Sequence, residues 1–272
     1  MIAQVLNNDQ ISNEYYRMKV SCPSVAETAR LGNFVTLKIS QLYEPLLRRP
    51  FTIYTHDPSE GTLDIIYKVV GAGTLFMSEM REGQKLDVIG PLGNGFNTSA
   101  DERKIVLVAG GVGVTALYGL ARMASSSIKD PEVTLIMGGA TAQDIICIDD
   151  FKALGARILV TTEDGSMGET GRATNLLKKY LKDTPDKEEL YLYACGPKGM
   201  LKETARLTAV YAIPCMVSME SRMGCGLGAC LGCVIKVLPG AADLGSSLGP
   251  EYKRICRDGP VFDAAEIDWE SI

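Results

Sequence analysis

Four cysteines near the carboxyl end carry the plainest chemistry in this chain. The stretch MESRMGCGLGACLGCVIK sets Cys225, Cys230 and Cys233 in a C-x4-C-x2-C array, and Cys256 follows in the same glycine-rich tail. That is the plant-type [2Fe–2S] spacing. Four thiolates on two tetrahedral irons need a tight loop around them. Gly224, Gly226, Gly228 and Gly232 allow one, because glycine takes positive φ cheaply and lets backbone N–H groups approach sulfur. Structural zinc is the alternative reading, but zinc ligands usually come as two short pairs of similar spacing. The other cysteines, Cys22, Cys147, Cys195 and Cys215, are scattered.

Two weaker signals lie upstream. Arg49-Pro50-Phe51-Thr52 stands inside a strand pattern, and Gly73-Thr74 opens a helix-like segment after it. An arginine fork suits a diphosphate, a strand hydroxyl can bond the edge of an isoalloxazine ring, and a helix start offers N–H groups to phosphate. Taken alone, the tetrapeptide reads equally as an edge strand with a solvated arginine. Gly111-Val112-Gly113-Val114-Thr115-Ala116, preceded by Gly110, fits G-x-G-x-x-[GA] between a strand and a helix. The next strand ends in Gly138-Gly139-Ala140 with no acidic residue to hold a ribose, so a ligand-free turn remains the alternative. Cys195-Gly196-Pro197 and Glu163-Asp164-Gly165 end two later strands, with a buried thiol and an ordinary acidic turn as their bland readings. His56 reads as a solvated turn residue, and Met216, Met219 and Met223 as apolar shielding.

The elements that must position these groups fall into three stretches. Residues 1–100 show short alternating strands such as ARLGNFVTLKIS, RRPFTIYTHD, GTLDIIYKVV and QKLDVIGPLG, which predict a small antiparallel β-barrel. Residues 101–212 alternate strand and helix, beginning KIVLVAGGVGVTALYGLARMA, and predict an α/β domain with a parallel sheet. Residues 213–272 are glycine- and cysteine-rich and read as a small C-terminal [2Fe–2S] domain stapled by its metal.

Composition removes several function classes. The 272 residues carry 28 Lys+Arg against 33 Asp+Glu, a net charge of −5, which argues against a nucleic-acid binder. A single histidine makes a Ser-His-Asp engine an unlikely reading. The apolar run Ile105–Ala121 is short and interrupted by four glycines, and no secretory signal is seen, so no membrane association and a cytoplasmic location are expected.

Barrel, α/β domain and RP-x-[ST] together resemble the ferredoxin–NADP reductase superfamily. With the cysteine tail, GPLGNGF, AGGVGVTAL, ACGPKGM and KRICRDGPVFDAAEIDW, the resemblance narrows to the electron-transfer subunits of two-component, NAD-dependent dihydroorotate dehydrogenases, over essentially the whole chain. It implies FAD contacts at Arg49, Pro50, Phe51, Thr52, Ile66, Tyr67, Lys68, Gly73 and Thr74. It implies cluster ligands at Cys225, Cys230, Cys233 and Cys256, and an NAD cleft lined by Gly110, Gly111, Gly113, Cys195, Gly196 and Pro197, with Cys195 on the nicotinamide side. Phe51 and Thr52 depart from the expected smaller aliphatic residue and serine, and PGAADLGSSLGP looks like a lengthened loop between Cys233 and Cys256.

Nicotinamide exchanges two electrons and a [2Fe–2S] centre one, so flavin between them makes a two-to-one electron converter. No pyrimidine site, FMN barrel or base for dihydroorotate is visible. The substrate half is therefore expected on a second polypeptide, an FMN-containing dihydroorotate dehydrogenase, in a two-plus-two heterotetramer. Electrons would run from FMN through the cluster and FAD to NAD. The alternatives are an NAD(P)H–ferredoxin reductase or hydrogenase-type subunit with another partner, and a redox-sensing module without catalysis.

Overall fold

The long first strand, β1 (Ile2–Ser12), pairs antiparallel with β2 (Tyr15–Ser21), and its register slips between Val5 and Asn7 and again between Gln10 and Ser12. Such bulges bend a strand and increase its twist, which a closing sheet requires. The structure, a computed structural model, describes residues 1–39, 46–98, 102–241, 249 and 251–272. The PGAADLGSSLGP segment therefore lies largely outside the described residues.

After helix α1 (Pro23–Ala26) come β3 (Phe34–Lys38), β4 (Arg49–Thr52), β5 (Thr55–Asp57), β6 (Thr62–Lys68), helix α2 (Ala72–Ser78) and β7 (Lys85–Leu92). The seven strands form one antiparallel sheet in the order β4-β3-β7-β1-β2-β6-β5. Its two edges, β4 and β5, are pieces of one stretch joined through Ile53 and Tyr54. Ile53 N–H donates to Asn33 O at 3.1 Å and Tyr54 N–H to Asp64 O at 2.9 Å, which carries the ladder from edge to edge. The sheet closes into a barrel. Period-two burial fills its interior: Val35 and Leu37, Ile65 and Tyr67, and Leu86 and Val88 all belong to one apolar cluster. His56 lies on β5 opposite Leu63, not in a turn.

The second sheet has the order β11-β10-β9-β8-β12-β13-β16. Its elements run β8 (Lys104–Gly110), α3 (Val114–Ser127), β9 (Glu132–Gly139), α4 (Ile148–Ala153), β10 (Arg157–Thr162), β11 (Glu169–Thr170), α5 (Ala173–Asp183), β12 (Leu190–Cys195), α6 (Lys198–Val210) and β13 (Cys215–Ser218). The six strands β8 to β13 are parallel, as the strand–helix alternation predicts. The ribbon β14 (Val234–Lys236) and β15 (Tyr252–Arg254) follows, and β16 (Val261–Asp263) closes the sheet edge antiparallel to β13. Helix α5 escaped the pattern reading although Ala173, Leu176, Leu177 and Leu181 bury one helical face.

The chain divides into two units. The first joins Met1–Gly95 with Ser221–Val234 and Arg254–Pro260; the second joins Phe96–Glu220 with Ile235–Lys253 and Val261–Ile272. Residues 213–272 are thus shared between the barrel unit and the parallel-sheet unit, and all four tail cysteines belong to the barrel unit.

Candidate functional site

Within the barrel unit, hydrogen bonds from Asn94 hold the tail segment around residues 257–259 just past the end of β7. Asn94 N–H donates to Gly259 O at 2.6 Å, and Asn94 Nδ2 donates to Arg257 O and Asp258 O, each at 3.2 Å. This explains the GPLGNGF motif. A Cβ on Gly93 would stand 2.5 Å from Pro260 Cδ, and one on Gly95 only 2.0 Å from Leu31 O. Sequence reasoning noted the motif and missed Asn94 as the anchor, because its three partners lie more than 160 residues away.

The cysteine loop is held by its own backbone. Cys225 Sγ accepts from Leu227 N at 3.3 Å and Cys230 N at 3.4 Å. Burial would raise this thiol, but the Leu227 and Cys230 N–H groups, the Cys230 thiol and the Ala229 N–H outweigh it, and the pKa falls to about 6. The second pair is Cys233 with Cys256: Ile255 N donates to Cys233 O at 2.9 Å, and Cys256 N to Cys233 Sγ at 3.5 Å. Burial first, then the Cys233 thiol, pushes Cys256 up to about 12. Arg254, gripped by Asp258 at 2.9 Å through Nε, stands beside this pair. The thiols are thus arranged two and two. A two-iron cluster takes two thiolates on each tetrahedral iron, so the donor set fits that group. Among the described residues, no three metal-ligating side chains converge on one ion position.

The loop sits on the barrel wall. A Cβ on Gly226, whose φ is +72°, would stand 2.8 Å from Thr36 Cγ2 on β3. Strand β3 is hydrogen-bonded to β4, with Thr36 opposite Pro50 and Phe34 opposite Thr52. The cysteine loop therefore rests on the strand next to the RPFT strand.

The structure also brings together some of the residues expected to meet FAD. Arg49 Nε lies 3.0 Å from the position a Cβ would take on Gly73, so any side chain there would displace the guanidinium. Phe51 meets Tyr67 edge-on, with ring centroids 6.0 Å apart. Alternation separates the β6 residues: Tyr67 joins the barrel interior, bonded to Asn8 Oδ1 at 3.0 Å, while Ile66 and Lys68 face the other way. Burial raises the Tyr67 phenol well above its usual value, so it stays a neutral donor. Thr74 Oγ1 accepts from Val70 N at 2.9 Å and Gly71 N at 3.3 Å, which closes the turn before α2. An arginine fork beside an unhindered glycine backbone suits a diphosphate, so these residues fit a flavin nucleotide. Replacing Arg49 by alanine is expected to lower FAD content after gel filtration by about tenfold, the worth of one charge-assisted pair. Flavin absorbance per chain, compared with wild type, checks this.

In the second unit the strand order turns at β8, with β9 on one side and β12 on the other. Ligands of open parallel sheets bind at such a switch point, beyond the carboxyl ends of the strands. Gly110 ends β8, with Gly111 and Gly113 after it, and Cys195 ends β12 beside them, followed by Gly196 and Pro197. A Cβ on Gly113 would stand 2.3 Å from Cys195 O, and one on Gly110 2.6 Å from Pro197 Cδ. These two glycines are required by the protein's own packing, Gly113 against backbone and Gly110 against the Pro197 ring, whatever binds above them. Gly111, at φ +51°, turns the chain.

Cys195 is 2% exposed and stands opposite Ser218 of β13. Burial, and then the charge of Glu220, raise its thiol far above the ordinary range; the Ser218 hydroxyl opposes them. It is no thiolate nucleophile. In the folded protein Cys195 is expected to resist iodoacetamide at about pH 8, half a unit below a free thiol's pKa, and to react fully after denaturation. Peptide mass spectrometry reads both. Glu220 was not singled out in the sequence. It is open to solvent on one side, yet surrounding protein raises its carboxyl above the usual carboxylate value. Asp164 takes the Ser166 N–H at 3.0 Å and its hydroxyl at 2.6 Å, the bonds of an acidic turn.

Comparison with known proteins covers the same three stretches. Residues 3–96 match the oxidoreductase FAD-binding domain, 107–206 the oxidoreductase NAD-binding domain, and 220–268 the iron–sulfur cluster binding domain of dihydroorotate dehydrogenase B. The chain is 34% identical over 98% of both chains to the dihydroorotate dehydrogenase B (NAD(+)) electron transfer subunit of Desulforamulus reducens. It is 37% identical to that of Geobacillus thermodenitrificans, over 97% of this chain and 96% of the relative. Among solved structures it resembles an NADH-dependent reduced ferredoxin–NADP oxidoreductase studied for flavin-based electron bifurcation. There the TM-score is 0.83 at 29% identity, covering 99% of this chain and 91% of the other.

Proposed function

The chain belongs to the family of dihydroorotate dehydrogenase B (NAD(+)) electron transfer subunits, and from that premise we propose that it carries electrons from dihydroorotate oxidation to NAD+ in pyrimidine biosynthesis. It is an oxidoreductase subunit with FAD-, NAD- and iron–sulfur-binding domains. The flavin supplies exchange between hydride and single electrons, and the cluster supplies one-electron transfer.

In this reading the three functional modules are residues 1–100, 101–212 and 213–272. Arg49 holds the flavin diphosphate, with Gly73 and Thr74 offering backbone beside it. Pro50, Phe51, Thr52, Ile66, Tyr67 and Lys68 frame the ring from two strands. Cys225 with Cys230, and Cys233 with Cys256, hold the two irons. Gly110, Gly111, Gly113, Cys195, Gly196 and Pro197 form the floor on which the nicotinamide nucleotide lies, and the neutral Cys195 thiol keeps that floor uncharged. The partner is an FMN-containing dihydroorotate dehydrogenase, joined two to two, in the cytoplasm.

One observation carries the reading: the cysteine loop is seated on β3, the strand hydrogen-bonded to β4 and its RPFT sequence. Single electrons need a short path, and neighbouring strands of one barrel provide it. The test is co-expression with an FMN-containing dihydroorotate dehydrogenase, anaerobic purification, and assay of dihydroorotate-dependent NADH formation. Co-purification at equal stoichiometry with NADH formation is the expected result. The match to the ferredoxin–NADP oxidoreductase over 99% of the chain favours a second reading with a ferredoxin-type partner. Electron delivery to ferredoxin, with none drawn from dihydroorotate, would replace the first reading by the second.

A further inference from the structure

On β3, Val35 and Leu37 point into the barrel, so Thr36 is turned to the opposite face. It is nevertheless only 1% exposed. Its cover is the cysteine loop, with the Thr36 methyl 2.8 Å from the position a Cβ would take on Gly226, the residue after Cys225. The Thr36 hydroxyl is buried and has no hydrogen-bond partner among the described residues. A hydroxyl taken out of water and left unbonded bears its full desolvation penalty, and native proteins keep few such groups without a use. No side chain supplies the bond at the point of contact, since the loop approaches through a glycine. A step of χ1 to the next staggered well brings the hydroxyl to the place the methyl now holds and turns the O–H toward the loop.

We propose that the Thr36 hydroxyl donates a hydrogen bond to sulfur on the Cys225 side of the cluster, and so acts as a positioning residue that sets the cluster's reduction potential. The inference rests on the reading that the four tail cysteines hold a [2Fe–2S] group. A reduced cluster carries one more negative charge than an oxidised one, so a donor to its sulfur stabilises the reduced form and raises the potential. Thr36 thereby biases electron sharing between the cluster and the flavin on the adjoining strand.

The test is an EPR-monitored redox titration of the full chain loaded with flavin and cluster, comparing Thr36→Val, Thr36→Ala and Thr36→Ser with wild type. Valine keeps the shape and loses the hydroxyl; serine keeps the hydroxyl. Both hydroxyl-free variants are expected to lower the reduced-to-oxidised ratio at fixed potential by about tenfold, which for one electron is a fall of about 59 mV. Serine is expected to restore the wild-type value. Full cluster content with an unchanged midpoint in the valine variant would overturn the proposal. So would equal shifts in the valine and serine variants, or a shift confined to the flavin couple, which would assign the hydroxyl to the isoalloxazine ring. Wild-type protein without iron and acid-labile sulfide would fail at the first measurement, and would refute the cluster reading itself.

Discussion

Replacing Cys230 by serine is expected to abolish the visible and EPR signatures of the [2Fe–2S] cluster while leaving flavin bound. Cys230 is the exposed member of the first thiol pair, and its N–H and thiol both bond Cys225 Sγ. Without it one iron keeps a single protein sulfur, and serine's harder oxygen is a poor replacement for thiolate. Iron per chain should fall from about two to near zero. Flavin content should hold, since Arg49, Gly73 and Phe51 are positioned by β4, α2 and β6 and not by the loop. Electron flow from NADH to the flavin should persist and onward flow to any one-electron acceptor through the cluster should stop. Colorimetric iron and sulfide, set against flavin absorbance, decide the matter: a full cluster in this variant would refute the ligand assignment.

The second large effect lies in the other unit. Gly113→Ala would place a methyl 2.3 Å from Cys195 O and 2.5 Å from Cys195 C, both backbone atoms that cannot swing aside. Gly113 itself has ordinary helical angles, with φ at −58°, so the penalty is wholly steric. Overpacking of this kind costs about 3 kcal/mol, which for a domain of this size lowers Tm by roughly 6–12 °C. The proposed nucleotide floor must part between the turn after β8 and the end of β12 to admit the methyl. NADH-driven flavin reduction is therefore expected to slow by at least about tenfold, the effect of a misplacement near one ångström. Stopped-flow absorbance and differential scanning fluorimetry read the two effects. The cluster and flavin of the barrel unit should be retained in full, and their loss would show that the two units do not hold their groups independently.

How far the sequence revealed the site depended on the range of the interactions involved. The grouping of Cys225, Cys230 and Cys233 was legible because it is local: three cysteines and four glycines fall within ten residues. The parallel sheet was legible for a similar reason, since β8 with α3 and β12 with α6 declare themselves by period, even though α5 did not. The hairpin β1–β2 was less so. Asn7, Asn8, Asp9 and Gln10 interrupt apolar alternation, and bulges shift the register where they fall. Asn94 looked like an unremarkable loop residue because its partners, Arg257, Asp258 and Gly259, are at the far end of the chain. Tyr67 and Ile66 were named together for one flavin, yet period two turns them to opposite faces of β6.

By itself, then, the order of residues determined what kinds of atoms are present and which of them stay near one another along the chain: soft sulfur donors in a flexible loop, a guanidinium on a strand, glycines at a strand–helix turn. Only the tertiary structure decided which of these become neighbours across the chain. It paired Cys233 with Cys256, laid Gly226 over Thr36, and brought Gly113 against the carbonyl of Cys195. The reason is physical. Local geometry follows from steric limits on a few adjacent dihedrals, whereas long-range contacts are selected by collective burial, in which every segment competes for the same interior.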